Sequence, residues 1–162
     1  MNFKIGDLAV YPYHGVGVIE AIETRSISPN GEETFYVLRI LENAMVLLVP
    51  TGSAGDIGLR GVVSQSEASR IFQILRNRKV QVRLDLSWNR RQKEYNEKLR
   101  TGCAFEIAEV LRDLEHLRRK KDLSFGEKRM LGTARSLLIR ELSIATKSEE
   151  DMIEKRLDNI FH

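Results

Sequence analysis

The sequence predicts an α+β fold: a small β-barrel followed by a compact helical domain of about five helices. Three observations carry this. Residues 1–63 read as short β-branched and aromatic runs, and they hold all three prolines and most of the glycines. From Ser64 the apolar period changes from two to that of a helix. The charge divides at the same point, with a net of −3 over residues 1–64 and +6 over residues 65–162. Two domains, 1–64 and 65–162, follow from that division.

In the first domain, Leu8-Ala9-Val10-Tyr11 is an apolar run stopped by Pro12. His14-Gly15-Val16-Gly17 has turn chemistry, and Val16 to Ile22 continues as a strand. Thr34 to Ile40 and Met45 to Val49 are two further strands. Ser28-Pro29-Asn30-Gly31 and Glu42-Asn43-Ala44 are the turns between them. Short strands joined by tight turns favour a closed or nearly closed sheet, because closure removes exposed edges. An edge that stays open can add a strand from a partner.

In the second domain, Ser64 with Glu67 fits a capping box and opens a helix with Ala68, Ile71, Phe72 and Leu75 on one face. Residues 77–86 are a connector. A second helix runs from about Ser87 to Arg100 and stops at Thr101-Gly102. A third places Phe105, Ile107, Ala108, Leu111, Leu114 and Leu117 at core spacing. It ends in Arg118-Arg119-Lys120-Lys121, where positive charge suits a helix C-terminus. Ser124 with Glu127 opens a long helix with Leu131, Ala134, Leu137, Leu138 and Leu142 inward. Ser148 with Asp151 starts the last helix, carrying Met152, Ile153, Leu157 and Ile160.

Composition excludes several classes. With 42% hydrophobic and 30% charged residues the chain is too apolar to be disordered. No stretch approaches 18 uncharged apolar residues, so no transmembrane helix is expected. The N-terminus lacks a basic region followed by an apolar one, which argues against a secretory signal. The single cysteine, Cys103, cannot form an internal disulfide, and a cytoplasmic protein is expected. His14, His116 and His162 are scattered, with no zinc spacing. No Gly-rich loop opens a helix, so no phosphate cradle of the nucleotide-binding kind is present. The carboxylates mostly alternate with basic residues on helix faces, the pattern of paired surface charges. The sequence therefore predicts neither an enzyme nor a cofactor or metal.

Residues 70–121 carry a net charge of +8, which fits either a polyanionic partner or an ordinary solvated helical surface. Within it, Ser87-Trp88-Asn89-Arg90-Arg91-Gln92-Lys93 sets the only tryptophan at the start of a basic helix. Arg90, Arg91 and Lys93 would neutralise phosphates. The indole of Trp88 would stack on a base or wedge between base pairs, or else anchor the connector in the core. A second candidate patch is Phe125, Lys128 and Arg129 at the start of the long helix; Phe125 could equally pack back on the third helix.

Lys4-Ile5-Gly6-Asp7, Val10-Tyr11-Pro12, His14-Gly15-Val16-Gly17 and Ile22-Glu23 resemble the N-terminal domain of the CarD/CdnL family of bacterial transcription regulators. The same domain type serves as the polymerase-interacting module of the transcription-repair coupling factor Mfd, which the lack of helicase motifs sets aside. Trp88-Asn89-Arg90-Arg91, Ala108 to Leu114, Leu123 to Leu131 and Ala134 to Leu138 resemble that family's C-terminal domain. The resemblance spans nearly the whole chain. It implies a Tudor-like or SH3-like barrel that binds the β subunit of RNA polymerase, and a helical domain lying on promoter DNA at the upstream edge of the transcription bubble. By position, Trp88 would be the minor-groove wedge that stabilises the open complex, and Arg90 and Lys93 would contact phosphates. Phe125 and Lys128 would extend the surface. Arg25, Leu38, Leu48 and Pro50 match positions of the polymerase contact. Leu48 stands where some members carry arginine, which makes that contact apolar, and Asn96 replaces a hydrophobic residue, which narrows the wedge patch. The implied setting is the bacterial nucleoid. The sequence leaves the oligomeric state open: a monomer is expected, and the barrel edge would permit a domain-swapped dimer. The alternative is an adaptor whose basic helical face binds an acidic protein instead of DNA.

Overall fold

The computed structural model describes residues 2–29, 31–79 and 87–162, with the side chains of Ser28 and Trp88 outside that description. The chain divides into two compact units, Met1–Val62 and Val63–His162. The first holds β1 (Leu8–Tyr11), β2 (Gly15–Ser28), β3 (Gly31–Ile40), β4 (Val46–Pro50) and the one-turn helix α1 (Ala54–Ile57). The second holds α2 (Gln65–Arg76), α3 (Trp88–Thr101), α4 (Ala104–Lys120), α5 (Phe125–Thr146) and α6 (Glu150–Phe161).

The four strands form an antiparallel meander in the order β1-β2-β3-β4. Along β3 the side chains alternate: Tyr36, Leu38 and Ile40 are buried, while Phe35, Val37 and Arg39 lie on the outer face. The inner residues meet Ala9, Ile19, Val49, Ala54 and Leu59 in one core. The sheet curls rather than closing into a full barrel. Val10 exchanges backbone hydrogen bonds with Arg60, Val10 N–H to Arg60 at 2.7 Å and the reverse at 3.2 Å, so the segment after α1 covers the β1 edge. Among the described residues β4 has no second strand beside it, and its outer edge stays open.

Register shifts at Ile19/Ala21 and Ser26/Ser28 mark irregularities in the β2–β3 ladder, where an extra residue bends a strand. Gly17 lies against β3 with no room for a side chain. A Cβ there would stand 2.8 Å from Leu38 Cδ1 and 2.9 Å from the Arg39 carbonyl oxygen. Gly17→Ala is therefore expected to destabilise the first unit by about 1–3 kcal/mol through overpacking. An unshifted urea midpoint would show that the two strands have room to part.

In the second unit α4 is the central helix, packed on α2, α3 and α5. Ile107, Ala108, Val110, Leu111, Leu114 and Leu117 are all buried. Three neighbours also bury polar residues of α4. Glu115 bonds Arg118 at 2.7 Å, and Arg112 pairs with Asp113 at 3.1 Å. Burial raises the Asp113 pKa above the usual carboxylate value, and Arg112 opposes the shift. Both capping boxes form, Ser64 with Glu67 and Ser124 with Glu127.

The expected elements differ from the observed ones in three places. Strand β2 runs on to Ser28, well past Ile22, because a hairpin with β3 extends polar residues into solvent, where no apolar pattern marks them. Helix α1 was not expected; one turn, with Ala54 inward and Gly58 at φ 104°, has no period to read. Ser148 does not cap α6. Its N–H closes the end of α5 on the Ser143 carbonyl at 2.9 Å, and Glu149 takes the N-cap position. Of the connector, Asn77–Lys79 are described and residues 80–86 lie outside the description, as does Asn30 of the first turn.

Candidate functional site

Helix α3 begins at Ser87, whose side chain accepts the Arg90 N–H at 3.4 Å, and ends at Gly102 in the left-handed region, φ 72°. Its inward residues are Arg91, Tyr95 and Leu99, spaced by four. Arg90, Lys93 and Arg100 are exposed. Asn89, Lys93, Asn96 and Arg100 line a shallow groove of about 320 Å³ along the outer side of the helix. Trp88 occupies the first helical position.

Arg91 departs from expectation. It is only 7% exposed, and its guanidinium lies 3.7 Å from Oε2 of Glu127, whose side chain is fully enclosed. Oε1 of Glu127 accepts from Lys121 Nζ at 3.1 Å and from the Ser124 N–H at 2.8 Å. Arg91 is thus corrected from a phosphate contact to an internal fastener. The signal was present in the sequence, since Arg91 stands four and eight residues before Tyr95 and Leu99 on one stripe. Burial works against the charge on Glu127. The hydrogen bonds from the Ser124 backbone and Lys121 outweigh it and hold the carboxyl below its ordinary pKa.

The buried Arg91–Glu127 pair joins the first turn of α3 to the first turn of α5, and exposed Lys121 reaches in to it. The pair sets Trp88 and Phe125, the first residues of the two helices, at the ends that it holds together. Phe125 is 82% exposed, so it does not pack back on α4. Lys128 and Arg129 beside it are exposed as well. Arg90, Lys93, Lys128 and Arg129 form no ion pair among the described residues, whereas Arg91 and Lys121 share Glu127 and Lys98 bonds Glu109 at 2.7 Å. Two helix N-termini with exposed cations and an exposed ring suit an anionic partner that also offers flat apolar surface.

Tyr95 lies beneath this face. Burial, with help from the negative charge of Asp113, raises its phenol to about 12 from the ordinary 10.0. The folded pKa exceeds the unfolded one. Stability is therefore unaffected below about pH 10 and falls as pH rises from there through 12. A spectrophotometric titration should show one of the four tyrosines ionising last, and Tyr95→Phe should remove that step. A titration in which Tyr95→Phe removed a step near pH 10 would contradict this burial.

The first unit carries a separate surface. The ladder pairs Val46 with Arg39, Leu48 with Val37 and Pro50 with Phe35. Val46 (54% exposed), Leu48 (42%), Val37 and Phe35 make an apolar strip on the outer face beside the open β4 edge. Charged pairs flank it: Arg25 bonds Glu23 at 2.7 Å, and Arg39 bonds Glu20. Arg25 and Leu48 are exposed and Pro50 half-buried. Leu38 is corrected. It is fully enclosed, opposite Ile19 and Leu47 in the core, and cannot touch a partner. Val37 is the β3 residue on the face of Leu48, because successive side chains point to opposite sides.

Among the described residues no three His, Cys, Asp or Glu side chains gather as a metal site, and no helix is long and apolar enough to cross a membrane. Cys103 stands at the N-cap of α4 without a side-chain cap bond.

Comparison with known proteins agrees with this division into units. Residues 3–63 match the family described as "CarD-like/TRCF RID domain". Residues 70–158 match "CarD, C-terminal domain". The chain is also similar to a protein of Bacillus subtilis (strain 168) named "Putative transcription factor YdeB", at 36% identity over 152 residues, covering 94% of this chain and 97% of that protein. Two domain matches in this order, with a relative aligned over nearly its full length, make the chain a member of the CarD/CdnL family, whose curled N-terminal sheet and helical C-terminal unit it shares.

Proposed function

We propose that this chain regulates transcription by holding the β subunit of RNA polymerase with its first unit and promoter DNA with its second. Trp88 enters the minor groove at the upstream edge of the bubble, and Arg90, Lys93, Lys128 and Arg129 contact phosphates around it. The observation that carries the reading is the buried Arg91–Glu127 pair, which ties the first turn of α3 to the first turn of α5, where the exposed cations and Phe125 stand. Phosphate contacts of this kind are sequence-independent and salt-sensitive. The polymerase grip is supported by the apolar strip and the open β4 edge, a surface suited to a protein partner. A partner held there raises the local concentration of the helical unit over DNA, so two weak contacts act together.

The test uses the full chain. Leu48→Asp should reduce capture of the β subunit about tenfold or more while leaving DNA affinity unchanged. Arg90→Glu should do the reverse, weakening promoter engagement more at about 50 mM than at about 200 mM salt. Undiminished capture by Leu48→Asp would remove the sheet face from the proposal. An Arg90→Glu effect independent of ionic strength would remove the phosphate contact.

A further inference from the structure

We propose that a groove between the C-terminal ends of α2 and α6 binds a compact polyanion of the pyrophosphate class, either inorganic or as the polyphosphate tail of a nucleotide. The groove has a volume of about 500 Å³ and is lined by Arg76, Arg78, Arg156, Asn159 and Ile160. It uses no residue of the α3–α5 face.

Three guanidinium groups gather here, and the fold holds each one. Arg156 lies over the ring of Phe72, 3.7 Å from its centroid, and Arg76 stands 5.8 Å from the same ring. Phe72 is buried in the helical core, so both cations rest on a fixed plate. Arg78 donates to the Ile160 carbonyl at 3.3 Å. Heads that are already positioned lose little freedom when a ligand arrives. Asn159 adds a side chain able to donate or accept.

The charge at this site is not balanced locally. Beside Asn159, Asp158 is already matched with Arg135 at 2.9 Å. Among the described residues, Arg76, Arg78 and Arg156 have no carboxylate partner. The C-termini of α2 and α6 offset part of the charge, at about half a negative charge each. Among the described residues, the three cations exceed that offset.

The chemistry of the arginine fork narrows the ligand. Each guanidinium presents paired donors that match phosphate oxygens. Linked phosphates share a bridging oxygen, so one small molecule can engage three forks that converge on a cavity. A duplex backbone is convex and brings its phosphates to such a concavity singly. The volume falls in the range of small-molecule sites and leaves room beyond a diphosphate.

Titration calorimetry on the full chain, in magnesium-free buffer, tests this with orthophosphate, pyrophosphate, tripolyphosphate and ATP as probes. One saturable site per chain is expected, with pyrophosphate and tripolyphosphate at least about tenfold tighter than orthophosphate. ATP binding no tighter than tripolyphosphate assigns the site to the phosphate chain alone; tighter binding assigns it to a nucleotide. Arg76→Gln and Arg156→Lys should each weaken binding about tenfold or more, the second because an ammonium lacks the fork. Arg76→Gln should leave the chain folded, and it alone decides the matter if Arg156→Lys fails to fold. Absence of saturable heat, or undiminished binding by Arg76→Gln, overturns the proposal. So does competition for the groove by duplex DNA but not by pyrophosphate.

Discussion

Replacing Trp88 by alanine is expected to shorten the lifetime of the promoter open complex by about 5- to 150-fold, with fold stability and polymerase capture unchanged. Stacking of an aromatic side chain on a base contributes roughly 1–3 kcal/mol, which corresponds to that range. Opening a base step costs a few kcal/mol, so the indole offsets part of the opening and no more. It acts on the equilibrium only through its preference for opened over closed DNA. Lifetimes are read by competitor challenge with the full chain and polymerase. The control is urea denaturation, because Trp88 stands three and seven residues before Arg91 and Tyr95 in sequence. A stability loss of about 3–5 kcal/mol in Trp88→Ala would assign the indole to the helical core instead. An unchanged lifetime would end the wedge assignment outright.

Glu127→Ala is the second large effect, and it tests the support of the site. Removing this carboxylate takes from buried Arg91 the acidic group 3.7 Å away, at a cost of about 3–5 kcal/mol, and the lost capping box adds about 1 kcal/mol. The carboxyl titrates below its ordinary value of 4.5 in the folded chain. Its contribution is therefore complete above pH 4.5 and disappears as pH falls through the folded pKa. Glu127→Gln should accordingly be less stable than the parent at neutral pH and converge with it in acid. Replacing both partners, Arg91→Met with Glu127→Leu, should recover most of the loss, since an apolar pair of similar size has no charge to compensate. Equal urea midpoints for Glu127→Ala and the parent chain would show that the two helix starts are held by other means.

Leu38 and Arg91 show where reading the sequence stopped short. The alternation of Tyr36, Leu38 and Ile40 puts them on one side of β3, but nothing local says which side meets the core. That depends on Ile19 and Leu47, brought opposite Leu38 by strands distant in the chain. Arg91 reads as one more cation in a basic run. Its partner Glu127 lies 36 residues away, and only packing of α3 on α5 brings the two together. Phe125 is the opposite case: its place at the start of α5 left two outcomes open, and the fold exposes it.

The local rules are written in the chain itself. Its periods of two and 3.6 mark strands and helices, the Ser64 and Ser124 boxes start α2 and α5, and Gly102 stops α3. The division of charge between the two halves is likewise a property of composition. The tertiary fold alone decided which cations remain on the surface and which are buried, which face of the sheet carries the apolar strip, and how three arginines gather near the C-terminal ends of α2 and α6. The physical reason is that propensity, capping and net charge depend on near neighbours along the chain. Burial and pairing depend on groups that meet only after folding, and they set the dielectric surroundings that determine what each charge can do.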